Sequence, residues 1–94
     1  MSTASRFAGR VAVVTGAGSG IGAAVARRLH EDGALVAHLD LDLDAAASTA
    51  AEQPGAVAFA VDVSDPRSVD AAIADVEAAV GPIDLLAHLA GVDT

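Results

Sequence analysis

Apolar residues occur along this chain in short continuous runs, separated by segments in which they recur every three or four positions. Four runs predict β-strands, at 10–15, 34–40, 56–61 and 83–89. The first two runs scarcely alternate with polar residues, which is typical of parallel strands that are buried on both faces. The pattern therefore favours a parallel sheet.

The segment after the first run predicts an amphipathic helix over about 20–32. Ile21, Val25 and Leu29 recur every four positions, as expected for a helix that packs one face on a sheet. Gly33 follows, where a glycine commonly ends a helix.

Two further helices are predicted from their capping residues. The second begins at Asp42 or Asp44, either of which can cap a helix, and ends near 53 before Pro54. The third begins after Asp65, because aspartate is a good N-cap and Pro66 suits the first helical position. Its apolar stripe continues to about 80.

The order β-α-β-α-β-α-β makes each helix a right-handed crossover between parallel strands. We predict a Rossmann-like, doubly wound α/β fold that is partial, with four parallel strands in the order 3-2-1-4 and three helices. Residues 1–94 form a single partial domain, and 1–9 are expected to be a flexible N-terminal arm.

A glycine-rich turn joins the first strand to the first helix. Its glycines fit Gly16-x-x-x-Gly20-x-Gly22, which we prefer because Gly16 directly follows the strand. The alternative spacing is Gly18-x-Gly20-x-x-Ala23. A helix N-terminus presents unpaired N–H groups and partial positive charge, and residues without a Cβ let a pyrophosphate approach them. The turn therefore predicts a dinucleotide-binding site.

Asp40 ends the second predicted strand, 18 residues after Gly22. An acidic residue at this distance accepts hydrogen bonds from the hydroxyls of an adenosine ribose. A carboxylate there also repels a 2′-phosphate, so we expect NAD to be preferred over NADP. Asp42 and Asp44 are interpreted as capping or solvated residues.

The composition excludes several classes of partner. The 94 residues carry a net charge of −8, which argues against nucleic acid or an anionic membrane as a partner. No cysteine is present, so disulfides and thiolate chemistry are excluded. No signal segment or membrane-spanning run is found, and we expect a cytoplasmic protein. His38 and His88 fall on strands predicted not to be adjacent, so no metal site is expected.

With these motifs in place, the chain resembles the N-terminal part of the short-chain dehydrogenase/reductase family. The family's Thr-Gly-x-x-x-Gly-x-Gly motif matches 15–22. Its Asp-Val after the third strand, in which the Asp contacts the adenine amino group, matches 62–63. Its Asn-Asn-Ala-Gly occurs in altered form at 88–91. The cofactor-binding residues that the resemblance implies are Thr15, Gly16, Gly18, Ser19, Gly20, Ile21, Gly22, Asp40, Leu41, Asp62, Val63, Ala90 and Gly91.

Two departures from the family limit what the resemblance implies. His88-Leu89 replaces the usual Asn-Asn, whose side chains help to hold the central strands and the cofactor loop. The family transfers hydride with a Tyr acid/base, a Lys that lowers the pKa of that Tyr, and a Ser that orients the alcohol or carbonyl substrate. This sequence has no Tyr and no Lys. No catalytic residue can be assigned, and we predict that the chain alone is inactive and needs a missing half to act on a substrate.

Two other interpretations stay open. The chain could be a non-catalytic NAD-binding or assembly module, or one half of a pair whose catalytic half is separately encoded. Leu85, Leu86 and Leu89 in the fourth strand are apolar, whereas a stand-alone module should carry polar residues there. The uncovered sheet face and free strand edge predict self-association.

Overall fold

Four parallel strands form one open sheet in the computed structural model, which describes residues 6–18 and 20–88. In chain order the elements are β1 (Val11–Thr15), α1 (Gly20–Glu31), β2 (Leu35–Asp40), α2 (Leu43–Ala50), β3 (Val57–Ala60), α3 (Pro66–Val80) and β4 (Leu85–His88). The strand order is β3-β2-β1-β4. The predicted order 3-2-1-4, the three helices and the partial Rossmann-like α/β fold are confirmed.

The strand register brings the carboxyl ends of the strands to one edge of the sheet. Thr15 is level with Leu39 on one side and with His88 on the other, while Asp40 is level with Ala60. The connections that leave β1, β2 and β3 therefore meet at this edge, which we call the carboxyl edge. In open α/β sheets this is the side on which ligands bind.

Both faces of β1 are buried, as its continuous apolar run predicts. On one face, Val13 and Leu39 pack with Val76 of α3. On the other, Val14 and Val36 belong to a cluster that includes residues of α1. Burying apolar side chains contributes about 25 cal/mol per Å² removed from water, so these two layers account for much of the stability of the sheet.

The packing face of α1 differs from the predicted stripe in its first turn. Val25 and Leu29 pack against the sheet as expected, but the Ile21 side chain is 68% exposed, so its predicted burial is wrong. The cause is the closeness of α1 to the preceding turn. The small residues Gly22 and Ala26 occupy the innermost face of the helix, which turns Ile21 toward solvent at the carboxyl edge.

Helix α2 begins where the sequence predicts and ends about three residues early. Asp42 is its N-cap, and the Asp42 side chain accepts a hydrogen bond from the N–H of Ala45. After Ala50 the chain tightens into turns, in which the N–H of Gln53 donates to the carbonyl of Ala50. This places the Gln53 side chain against fully buried His38, and 2.9 Å separate Gln53 Oε1 from His38 Nε2.

The N-terminal segment is anchored over its described part. The N–H of Phe7 donates to the carbonyl of Asp32 at 2.7 Å, and the Phe7 ring packs on the α1 side of the sheet. The rest of the predicted arm, residues 1–5, lies outside the described residues.

Candidate functional site at the carboxyl edge of the sheet

The glycine turn and α1 pack more closely than residues with side chains would permit. Gly16 has a φ of 71°, in the left-handed region that favours glycine. A Cβ on Gly22 would overlap the carbonyl oxygen of Gly16, so the start of α1 can lie against the turn only with glycine there. The backbone thus gives Gly16 and Gly22 the roles expected from the preferred spacing. Ser19 lies outside the described residues.

The N-terminus of α1 has the properties of an anion site. This twelve-residue helix begins at Gly20 and has no acidic residue in its first turn. A Cβ on Gly20 would meet no atom within 4 Å, so the space beside it is open. Unpaired N–H groups at a helix N-terminus favour negative charge. These observations fit the pyrophosphate of a dinucleotide. The exposed Ile21 lies at the same helix N-terminus.

Asp40 reaches from the end of β2 to the glycine turn. Its Oδ2 accepts a hydrogen bond from the N–H of Gly18 at 2.9 Å, and its Oδ1 accepts one from the N–H of Asp42 at 2.9 Å. Each carboxylate oxygen can accept a second bond. The predicted ribose-binding carboxylate therefore lies beside the predicted pyrophosphate site. Leu41, the next residue, is strongly exposed at the same edge.

Asp62 organises the connection that follows β3. Its Oδ1 accepts hydrogen bonds from the hydroxyl of Ser64 at 2.6 Å and from the N–H of Ser64 at 3.0 Å. These two bonds, the one from the hydroxyl first, lower the pKa of the Asp62 carboxyl. Val63 is exposed beside it. Asp62, predicted to contact the adenine, and Val63, predicted to bind the cofactor, thus lie at the carboxyl edge, on a connection held by its own polar groups.

His88 ends β4 beside Thr15. A hydrogen bond of 3.1 Å joins the His88 Nδ1 to the Thr15 hydroxyl oxygen. In this position the imidazole makes a polar side-chain contact of its own between β4 and β1, where the family usually has an asparagine. Ala90 and Gly91, predicted to bind the cofactor, lie outside the described residues, as does Leu89.

The two strand histidines point to opposite faces of the sheet. His38 is level with Val14, and His88 is level with Thr15, the next residue along the same strand. Neighbouring residues of a strand face opposite sides. Within residues 6–18 and 20–88, no group of three or more His, Cys, Asp or Glu is placed to hold a metal ion.

An apolar cleft opens between α3 and the β1–β4 side of the sheet. Its lining combines residues of the strand ends with residues of α3: Val13, Thr15, Leu39, Val61, Val63, Val69, Ile73, Leu86 and His88. Val61, Val69, Ile73 and Leu86 were not expected at the site from the sequence. The apolar stripe of α3 contains Val69 and Ile73, but such a stripe does not show which apolar residues remain open.

Leu86 marks the least covered part of this cleft, because 61% of it is exposed. It projects from β4 on the same face as α3, beside Val13 of β1.

None of the helices in the described ranges is long and apolar enough to cross a membrane.

The fold and the site geometry together define an α/β protein of the Rossmann-like type, with a glycine turn and an acidic strand end. The family model described as short chain dehydrogenase matches residues 10–94. The chain therefore belongs to the short-chain dehydrogenase family, as its resemblance implied, and the Rossmann-like fold is confirmed.

Individual proteins show the same likeness. The chain is 47% identical over 89 residues to 2-dehydro-3-deoxy-L-rhamnonate dehydrogenase (NAD(+)) from Sphingomonas sp. (strain SKA58), covering 95% of this chain and 36% of that enzyme. It is 46% identical over 91 residues to D-threitol dehydrogenase from Mycolicibacterium smegmatis, covering 93% of this chain and 35% of that enzyme. The chain thus spans about a third of the length of these curated relatives.

A solved structure that was determined with a bound cofactor shows the same likeness. The 3-ketoacyl-(acyl-carrier-protein) reductase from Brucella melitensis, complexed with NADH, superimposes with a TM-score of 0.82 at 40% identity. The match covers 85% of this chain and 33% of that one. The family and this neighbour support binding of a nicotinamide dinucleotide.

Proposed function

We propose that this chain is the NAD-binding part of a short-chain dehydrogenase/reductase, an oxidoreductase that moves a hydride between a nicotinamide cofactor and an alcohol or carbonyl substrate. The observation that carries the proposal is the Asp40 carboxylate, which lies 2.9 Å from the N–H of Gly18 in the glycine turn. The groups for ribose and for pyrophosphate are thereby adjacent, as one dinucleotide requires.

The pyrophosphate, the adenosine ribose and the adenine of the cofactor each have a matching group in this chain. The N–H groups at the start of α1 hold the pyrophosphate, and the open space beside Gly20 admits it. The second acceptor positions on the Asp40 oxygens bind the ribose hydroxyls. Oδ1 of Asp62 carries both bonds from Ser64, which leaves Oδ2 to accept from the adenine amino group. When bound, NAD supplies the group that accepts or donates the hydride.

The charge of Asp40 is the basis for preferring NAD over NADP. A 2′-phosphate would carry its negative charge to the ribose position, against this carboxylate. The neighbouring residues add to the repulsion, because Asp42 and Asp44 begin the following helix. Asp40 already has two backbone N–H partners, so a pairing cation is not needed to hold it in place.

Catalysis is not assigned to residues of this chain. Proton transfer in the family uses a tyrosine with an adjacent lysine, and the sequence contains neither. A free tyrosine has a pKa near 10, which is why the lysine is needed for acid/base work near neutral pH. We therefore propose that the 94-residue chain binds NAD without oxidising or reducing a substrate, and that substrate binding requires the rest of an enzyme.

The exposed part of the cleft supports self-association as a further element of the proposal. Leu86 is 61% exposed on β4, which is also an edge strand of the four-stranded sheet. Open strand edges and apolar surfaces favour contacts between copies. Light scattering at micromolar concentration should show oligomers, and a stable monomer would contradict this element. A cytoplasmic location also remains a prediction.

A thermal melt followed by circular dichroism tests the proposed function. NAD at about 100 times its dissociation constant should add about 2.7 kcal/mol to the free energy of unfolding. For a domain of this size the midpoint should rise by about 10–20 °C. NADP at the same concentration should give a much smaller rise. A cooperative melt that neither nucleotide shifts would contradict the proposal, and equal shifts would contradict the preference for NAD.

A further inference from the structure

The Asp40 carboxylate joins two segments of the chain besides its own strand. The N–H of Gly18 donates to one of its oxygens and the N–H of Asp42 donates to the other, both at 2.9 Å. Asp42 in turn caps α2 by accepting the N–H of Ala45 at 3.2 Å. One side chain therefore fixes the glycine turn relative to the start of α2.

Close packing between Gly18 and α2 also holds the glycine turn against the start of α2. A Cβ on Gly18 would lie 2.5 Å from the Cβ of Ala45, so α2 rests directly on the turn. The N–H of Ala17 also donates to the carbonyl of Leu39 at 3.1 Å. The turn is thus held by a backbone contact at Ala17, by close packing at Gly18, and by the Asp40 carboxylate.

We propose that Asp40 is a positioning residue for the pyrophosphate, acting through Gly18, in addition to binding the ribose. The proposal rests on the proposed function. A turn rich in glycine has more conformational freedom than other segments, and that freedom must be lost when an anion binds. The Asp40 carboxylate removes part of this freedom before the anion binds, because it fixes the N–H of Gly18. Loss of the carboxylate therefore weakens contacts between the turn and the pyrophosphate that Asp40 does not itself make.

This positioning role predicts an effect on anion binding that is opposite in sign to the effect of the Asp40 charge. Asp40 is an anion close to a site for an anion, so removing its charge alone should strengthen the binding of any phosphate compound. Removing its hydrogen bond to Gly18 should weaken that binding. Inorganic pyrophosphate separates the two effects, because it has no ribose for residue 40 to contact.

The test compares inorganic pyrophosphate binding to the 94-residue chain and three variants by calorimetry. Asp40→Ala loses both the charge and the acceptor, and it should bind about fivefold more weakly than Asp40→Asn, which loses the charge alone. Asp40→Asn keeps an oxygen for the partly buried N–H of Gly18, while water can satisfy the exposed N–H of Asp42. It should bind as tightly as the unsubstituted chain or more tightly. Asp44→Asn is the matched control for loss of charge and should not weaken binding.

Pyrophosphate binding by Asp40→Ala that is as tight as that by Asp40→Asn, or tighter, would overturn the proposal, since the oxygen retained by asparagine would then have no effect on the turn.

Amide hydrogen exchange at Gly18 separates this proposal from the proposed function, because it needs no ligand. In the ligand-free chain the Gly18 amide should exchange about tenfold faster in Asp40→Ala than in Asp40→Asn or Asp44→Asn. Unchanged protection in Asp40→Ala overturns the positioning role. Lost protection, in a chain that binds neither NAD nor pyrophosphate, overturns the proposed function and leaves the link between Asp40 and the turn standing.

Discussion

Asp40 ends β2 and Asp62 follows β3 at the carboxyl edge, but the connections that leave these two strands are held in different ways. Asp40 accepts the N–H of Gly18, which lies 22 positions away, and so joins separate parts of the chain. Asp62 accepts two bonds from Ser64, and its own N–H donates to the hydroxyl of Ser68. The β2 connection depends on tertiary contacts, whereas the β3 connection is organised by its own residues.

This difference teaches that one residue type at equivalent places can have different structural consequences. A change at the β2 connection should propagate to the glycine turn and to dinucleotide binding. A change at the β3 connection should remain local. The following substitutions and conditions test that contrast, from the largest expected effect to the smallest.

Gly22→Ala should have the largest effect, because it disrupts the turn on which the β2 connection rests. The new Cβ would overlap the carbonyl oxygen of Gly16, and backbone must shift to remove the overlap. We expect a loss of about 2–4 kcal/mol in the free energy of unfolding, measured by urea denaturation.

Gly20→Ala is the matched control, since its Cβ would meet no atom within 4 Å. It should leave stability within about 1 kcal/mol of the unsubstituted chain. It should nevertheless weaken NAD binding, because it narrows the approach to the α1 N-terminus. Equal destabilisation by the two substitutions would contradict the close packing of the turn against α1.

Gly18→Ala should destabilise the chain by about 1–3 kcal/mol, because its Cβ would lie 2.5 Å from that of Ala45 in α2. The contact predicts coupling, so Ala45→Gly in the same chain should restore part of the loss. Ala45→Gly alone costs about 1 kcal/mol through helix propensity. A double-mutant cycle by urea denaturation measures the coupling, and simple additivity would show that α2 does not pack on the turn.

Acid should affect the surroundings of His38 in β2 and the connection after β3 in different pH ranges. Burial lowers the pKa of His38 below its ordinary value near 6.5, although the Gln53 hydrogen bond and the charge of Glu52 partly oppose the shift and His30 adds to it. Below pH 6.5 the unfolded chain therefore binds more protons at residue 38 than the folded chain, and stability falls as the pH falls. The pKa of Asp62 is lowered from 3.8, so its contribution is present above pH 3.8 and is lost only as the pH falls below that value.

Urea midpoints measured at pH 7.5 and 5.5 test this separation. The unsubstituted chain should be less stable at pH 5.5, and His38→Leu should reduce the difference between the two midpoints. Asp62→Asn should leave that difference unchanged over this range. A difference that persists in full in His38→Leu would assign the acid sensitivity to other groups.

Asp65→Ala should have the smallest effect. Asp65 caps α3 by accepting the N–H of Arg67 at 3.0 Å, and loss of an N-cap typically costs about 1 kcal/mol. Because the β3 connection is local, NAD affinity measured by calorimetry should change less than about twofold. A large loss of affinity would show that the two connections are coupled.

The same contrast explains how far the sequence could be interpreted. Local signals were sufficient for the strands, for the Asp65 cap and for the Pro66 start of α3, because they depend on neighbouring residues, and they limited the cap of α2 to Asp42 or Asp44. Strand order followed from the alternation of strands and helices that is typical of a doubly wound sheet. Contacts between distant residues were not predictable, such as Gly18 with Asp40 or Gln53 with His38. The exposure of Ile21 was also missed, since it depends on how closely α1 approaches the turn.

The candidate site shows the same division. The spacing of the glycines and the position of Asp40 indicated the dinucleotide site, yet nothing in the spacing showed that Asp40 would itself hold the turn. The apolar stripe of α3 was evident, but the openness of the cleft beside Leu86 required the packed sheet.

The most direct test of the central claim is a titration of the ¹⁵N-labelled 94-residue chain with NAD, followed by ¹H–¹⁵N correlation spectra. The amides of Gly18, Gly20 and Gly22 should shift together with those of Leu41 and Val63, and the amides near Val11 and Asp84 at the opposite edge should not. The same concentration of NADP should produce smaller shifts. Shifts confined to other surfaces, or none at saturating NAD, would contradict a dinucleotide site at the carboxyl edge.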